Sequence, residues 1–313
     1  MSAMSPPPRI WAVAGGKGGV GKSITAASLG LALAREGKRV ALIDLDLGGA
    51  NLHTCLGLPP SATLFDFLNQ HESDINAFVT ATRMPRIGLI SSATQSLDIV
   101  SLKHFQKQRI LRNLKHIAAD YVILDLGAGC DLNTLDFFLA AERGIIVVTP
   151  DPTSIENAYR FLKSALVRRM RELPPAARAA INELLLARRK QGAPALESFA
   201  ALLERVRRQQ PSLGDTLAAT LTRQRIHLLV NQVHEPADIE LGHAMSLAGR
   251  RYFAQALEYL GHLHYDRQVG EALRRKQPLL EIAPTSRAAI QFVRLARTLL
   301  NQEQPRGAID ERA

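Results

Sequence analysis

The stretch that most constrains this 313-residue chain lies near its start, where an apolar run over residues 10–14 passes into Gly15-Gly16-Lys17-Gly18-Gly19-Val20-Gly21-Lys22-Ser23. The last eight residues satisfy G-x-x-x-x-G-K-[S/T] in full. A glycine-rich turn that follows a strand and opens a helix aims backbone N–H groups and a helix dipole at one point, which makes a cradle for phosphate. Residues 22–36, rich in Ala and Leu and closed by Gly37, supply the helix. In such a loop Gly16, Lys17, Gly18, Gly19, Val20, Gly21, Lys22 and Ser23 form the nucleotide cradle, Lys22 reaching the β- and γ-phosphates and the Ser23 hydroxyl binding Mg²⁺.

Short apolar runs at 10–14, 40–45, 87–91, 121–126, 144–149, 226–231 and 257–263 alternate with segments of helical period. That alternation predicts an α/β fold of the P-loop nucleotide-hydrolase type, with a mostly parallel central sheet flanked by helices. A helical insertion is expected over 172–224, bounded by prolines and with little apolar mass of its own. The ATPase domain then spans 10–300, with disordered segments at 1–9 and 301–313. Residues 61–83 read as short helices and loops, with Thr63, Asp66 and Ser73 as caps.

Charged residues make up 22% and hydrophobic ones 46%, the balance of a soluble globular chain. No run approaches the roughly 18 apolar residues of a spanning helix. The first nine residues lack the basic start and apolar stretch of a signal peptide. Two cysteines, Cys55 and Cys130, form neither a disulfide framework nor a C-x-x-C motif, so a reducing, cytoplasmic setting is expected. The net charge of +10 is concentrated in 160–225, with 14 Lys/Arg against five Asp/Glu. Such a segment could meet DNA, an acidic membrane surface or an acidic protein, or be a solvated helical face.

Residues 121–125 form an apolar strand ending in a carboxylate, and a metal role for Asp125 is preferred because a buried, unpaired carboxylate is costly. Asp44 reads as a strand-end cap or loop brace.

Lys17 is a cation that an ordinary phosphate loop does not need. The loop around it resembles the deviant phosphate loop of the MinD/ParA class of ATPases, and the resemblance extends over roughly 10–170 and 226–298. It implies that Lys17 contacts the phosphates of the opposite subunit. Residues 43–52 look like switch I, with Asp46 orienting the attacking water, so that Lys17, Lys22 and Asp46 are the catalytic set and Ser23, Asp46 and Asp125 surround Mg²⁺. Gly127-Ala128-Gly129 resembles switch II, with Gly129 sensing the γ-phosphate. Residues 148–155 look like the segment near the dimer face, but Asn157 stands where relatives carry aspartate, removing a negative partner expected near Lys17. Asn231 falls where adenine is recognised, and absence of the Asn-Lys-x-Asp pattern favours ATP over GTP.

Within the class, residues 48–52, 126–129 and 152–154 look similar to the FlhG/FleN branch, which regulates flagellar number and position. The resemblance implies a slow ATPase using ATP and Mg²⁺, a homodimer in the ATP state, and an unidentified, flagellar protein partner. A DNA-partitioning ATPase of the ParA type, acting through 160–225 at the nucleoid or membrane, is the first alternative. A metallocluster or metabolic ATPase is the second. The nine histidines show no metal spacing, and the last helix, about 287–300, is expected to pack on the core rather than target a membrane.

Overall fold

The computed structural model describes residues 6–59, 61–70, 74–93, 102–190 and 198–303. Its strands are β1 (Arg9–Ala14), β2 (Val40–Leu45), β3 (Thr80–Ala81), β4 (Ile87–Ile90), β5 (Tyr121–Leu126), β6 (Arg143–Val148), β7 (Arg225–Val233) and β8 (Leu257–His264). They lie in the order β3-β4-β2-β5-β1-β6-β7-β8, all parallel except β3, which runs antiparallel to β4. The apolar runs become interior strands because helices cover both faces. In β1, Ile10, Ala12 and Ala14 face one side and Trp11 and Val13 the other, and each set joins a separate core.

The helices α1 (Lys22–Arg35), α2 (Leu52–Leu56), α3 (Leu64–Asn69), α4 (His104–Asn113), α5 (Leu132–Ala140), α6 (Pro152–Arg169), α7 (Pro175–Lys190), α8 (Phe199–Gln209), α9 (Pro211–Leu221), α10 (Pro236–Phe253), α11 (Arg267–Arg275), α12 (Leu279–Ile282) and α13 (Arg287–Asn301) complete the fold. α1 and α13 cover the Trp11 face, and α13 buries Ala288, Ala289, Phe292 and Leu299 there, as expected of a core-packing helix. α5, α6 and α10 cover the opposite face.

Three differences from the sequence reading have clear causes. Pro211, taken as a boundary, is the first residue of α9, a position where a missing N–H costs nothing. The segment expected to carry little apolar mass buries Phe199, Leu202 and Val206 of α8 and Leu213, Leu217 and Leu221 of α9 in the same core as Phe253 of α10. Residues 301–303, taken as the start of a disordered tail, are held on the sheet. The buried Glu303 carboxylate accepts from the Tyr121 hydroxyl at 2.5 Å and pairs with Arg9 at 3.5 Å and Arg143 at 3.4 Å. Thr63 caps α3 in a reciprocal box with Asp66, while the following 3₁₀ turn is capped by Asp74. Ser73, residues 1–5 and residues 304–313 lie outside the described residues.

Candidate functional site

The loop between β1 and α1 sits at the carboxyl ends of the parallel strands, the end at which open α/β sheets bind ligands. Gly19 and Gly21 have φ of 79° and 96°, a left-handed conformation that L side chains resist, so the turn needs glycine there. Gly21 is the N-cap of α1 and has no side chain to occupy the helix's first N–H groups. Those donors are left for an anion.

Two close approaches hold the loop from outside. A β-carbon at Gly16 would fall on the backbone carbonyl of Asn157 in α6. Asn231, nearly buried at the end of β7, donates from Nδ2 to the Val20 carbonyl at 2.8 Å and accepts from the Gln232 N–H at 2.9 Å. Asn231, the expected adenine contact, thus braces the phosphate loop directly.

The two loop lysines occupy opposite environments. Lys22 is 6% exposed, its Nζ 3.4 Å from the Lys17 carbonyl. Burial lowers its pKa, against the upward pull of Asp125 and Asp46. Lys17 points outward, its side chain 44% exposed, with Nζ 2.9 Å from the Thr153 hydroxyl and 3.2 Å from the Asp151 carboxylate. Lys17 therefore does have a negative partner despite Asn157. It is Asp151, the N-cap of α6, which sequence reasoning missed because the pairing joins residues 134 apart.

Asp44 and Asp125 are register partners on β2 and β5, and both are fully buried. Asp44 is a loop brace, accepting from the N–H groups of Asp46 at 3.1 Å and Leu52 at 3.0 Å. Both oxygens of Asp125 lack a hydrogen-bond partner of standard geometry, although the Ser23 hydroxyl lies near enough to pull its pKa down. The net displacement is strongly upward, from burial first and then from Asp44. A buried, unsatisfied carboxylate beside a second one and a serine hydroxyl is an oxygen donor set short of positive charge, which fits a hard divalent cation such as Mg²⁺.

Asp46, within the segment read as switch I, faces the one read as switch II, its carboxylate 3.3 Å from where a β-carbon at Gly127 would lie and 3.6 Å from where one at Gly49 would lie. Gly129, with φ of 98°, faces open space. A cavity of about 310 Å³ opens beside Lys17, Gly18, Gly19 and Val20 and is walled by Asp151, Gln232 and His234. The His234 ring stacks on Tyr265 at 5.0 Å. Gln232 belongs to the strand read as the adenine-recognition segment, whereas His234 escaped the sequence reading, its signal being only its place just past the end of β7.

Burial, assisted by Asp125 and Asp44, pushes the Cys55 thiol up to about 12, which makes it a poor cluster ligand. His262 and His264 stack edge to face and bond to Tyr259 and Gln291. Among the described residues no group of three His, Cys, Asp or Glu gathers for a metal, and no helix is long and apolar enough to cross a membrane.

The profile described as the CobQ/CobB/MinD/ParA nucleotide binding domain matches residues 11–279. The antiactivator FleN of Pseudomonas aeruginosa is 29% identical over 293 residues, covering 93% of this chain and 85% of that protein. The septum site-determining protein MinD of Synechocystis is 38% identical over 157 residues, 49% of this chain and 58% of that protein. In fold, the chain is similar to MinD from Pyrococcus horikoshii, solved with Mg-ADP, at a TM-score of 0.63 and 19% identity over 93% of this chain and 96% of that one. With the phosphate loop, the paired strand-end carboxylates and the parallel sheet in place, the chain belongs to the CobQ/CobB/MinD/ParA nucleotide-binding family.

Proposed function

We propose that this chain is an ATP-dependent molecular switch that pairs as a homodimer with ATP and Mg²⁺ bound and separates after slow hydrolysis to ADP and phosphate. The observation that carries this reading is the contrast between Lys22, buried in the phosphate cradle, and Lys17, half-exposed on the same loop. A lysine that reaches outward from a phosphate loop is suited to a second subunit's nucleotide.

Lys22 binds the β- and γ-phosphates, and its partial desolvation strengthens that attraction. The backbone N–H groups of residues 18–23 orient the phosphate chain. Ser23 and Asp125 would hold Mg²⁺, with Asp46 near it, and the cation would supply charge neutralisation on the phosphate oxygens. Asp46 orients the attacking water, and the Gly127 and Gly129 backbone adjusts to the γ-phosphate. Catalysis by such groups is positioning and electrostatics, so turnover stays slow until a partner completes the site.

The likeness to FleN across most of both chains supports a role in flagellar number or placement. The basic surplus in 160–225 supports a second reading, partition on nucleoid DNA.

Light scattering on protein with Mg-ATP or with ADP, comparing wild type with Asp46→Ala, tests the switch. A dimer that forms only with ATP and persists in Asp46→Ala is expected. A monomer in every condition would remove the cross-subunit role of Lys17. Salt-sensitive DNA binding that disappears on neutralising Arg188, Arg189 and Lys190 would move the role to partition.

A further inference from the structure

The end of the sheet opposite the phosphate loop holds a second cavity, of about 590 Å³. It opens between the last turns of α4, α5 and α6, beside Ile10 at the start of β1 and Glu142 just before β6. The rise of β1 puts Ile10 roughly 17 Å from Gly15, so the two sites are separate. The volume suits a small organic molecule.

The lining is divided in character. Ile10, Leu111, Leu114 and Leu139 present aliphatic surface, and Lys115, Arg168, Arg169, Arg171 and Arg223 present cations. The acids are Asp136, Glu142 and Glu172. Two of them already serve two cations each. Asp136 pairs with Arg168 at 2.7 Å and with the buried Lys107 at 2.5 Å, and Glu172 pairs with Arg223 at 3.1 Å and Arg169 at 3.3 Å. Lys115 and Arg171 make no ion pair among the described residues. Burial raises the pKa of Glu142 against the pull of Arg9 and Lys115, and burial lowers that of Arg169 in spite of Glu172. With Lys107, six cations face three acids. The carboxyl ends of α4, α5 and α6 offset at most about half a charge each, so a surplus of at least about 1.5 positive charges remains.

We propose that this cavity binds the phosphate monoester of a small molecule with an apolar body, its phosphate held by Lys115 and Arg171 and its body laid against Leu111, Leu114 and Leu139. A monoester brings about 1.5 to 2 negative charges near neutral pH, which matches the surplus. A single carboxylate or phosphodiester brings one. The guanidinium of Arg171 offers a planar fork of donors suited to phosphate oxygens. Nucleic acid would meet the rim cations but leave bare the aliphatic wall, which is recessed at Ile10 and Leu114.

Isothermal titration calorimetry tests the site on the full chain, saturated with Mg-ADP so that the phosphate loop is filled. The probe is 1-naphthyl phosphate. It should bind at one site, at least about tenfold more tightly than inorganic phosphate, and less tightly as salt rises. Lys115→Ala/Arg171→Ala should lower its affinity at least about tenfold. Ala140→Trp adds bulk at a lining position without removing charge, and should lower it as much. All three positions are exposed, so thermal melting should be unchanged. Inorganic phosphate binding as tightly as the probe would reduce the cavity to a site for an adventitious ion only and overturn the proposal. 1-Naphthoate binding as tightly would overturn it in favour of a carboxylate. Absence of binding, or affinity unchanged in either variant, would overturn it as well.

Discussion

The Lys17 ammonium lies 3.2 Å from the carboxylate of Asp151 on its own chain and 2.9 Å from the Thr153 hydroxyl. Hydroxyl bonds from Thr149 and Thr153, the Ser154 N–H and Lys17 itself hold Asp151 far below the usual carboxylate range, so it stays charged at any pH near neutral. A lysine that serves a second subunit must leave this partner first. Both groups are half-exposed, so the pair is worth at most about 1 kcal/mol. Asp151→Asn keeps a competent helix cap while removing the charge. The ATP concentration that gives half-maximal dimer should fall by up to about fivefold. Light scattering across an ATP titration measures it, and an unchanged or higher requirement would mean that the contact does not restrain Lys17.

Asp125 has no hydrogen-bond partner of standard geometry, with the Ser23 hydroxyl nearby, and stands beside Asp44 in the sheet. In Asp125→Asn the like-charge repulsion disappears, so the nucleotide-free protein should melt no lower than wild type. The extra rise in melting temperature that Mg²⁺ adds to a non-hydrolysable ATP analogue should vanish. Wild type treated with EDTA should lose the same increment. A variant that retained it would exclude Asp125 from the metal site.

The loop's outer braces can be separated by mutation. Gly16→Ala drives a β-carbon into the Asn157 backbone, which a side-chain change cannot relieve. Nucleotide affinity should fall at least about tenfold, and adding Asn157→Ala should not restore it. Asn231→Ala leaves the Val20 carbonyl without its donor and should weaken binding by about 1–3 kcal/mol. Fluorescent-nucleotide titration reads both, and rescue of Gly16→Ala by the second substitution would show that the clash is not with backbone.

His227 is buried at the opposite end of the sheet, where the Arg143 guanidinium lies 3.0 Å from Nε2. Burial, then Arg143 and Arg225, lower its pKa from 6.5 to about 3. The folded chain keeps it neutral while the unfolded chain takes up a proton below about pH 6.5. Its contribution to stability therefore falls as pH drops from 6.5 towards 3, by roughly 1.4 kcal/mol per unit. Urea unfolding at pH 6 and pH 5 should show a loss about 1 kcal/mol smaller in His227→Gln than in wild type. Equal losses would show that His227 titrates normally.

The sequence by itself determined the phosphate loop, because its function depends on local backbone freedom and on residues a few positions apart. Gly19, Gly21, Lys22 and Ser23 could be read with the strand before them and the helix after them. The interior strands β2 and β5 were legible to the residue, since burial on both faces writes a continuous apolar run. Long-range pairing was decided only in three dimensions. Nothing local marks Asp151 as the partner of Lys17, Asn231 as the brace of Val20, or Glu303 as the acid that ties down Arg143. The two-residue edge strand β3 lacks the length for a period, and α8 and α9 found their core only when Phe253 came alongside. Tertiary structure also left Leu247 on α10 exposed, because an apolar residue in the sequence does not reveal whether another helix covers it.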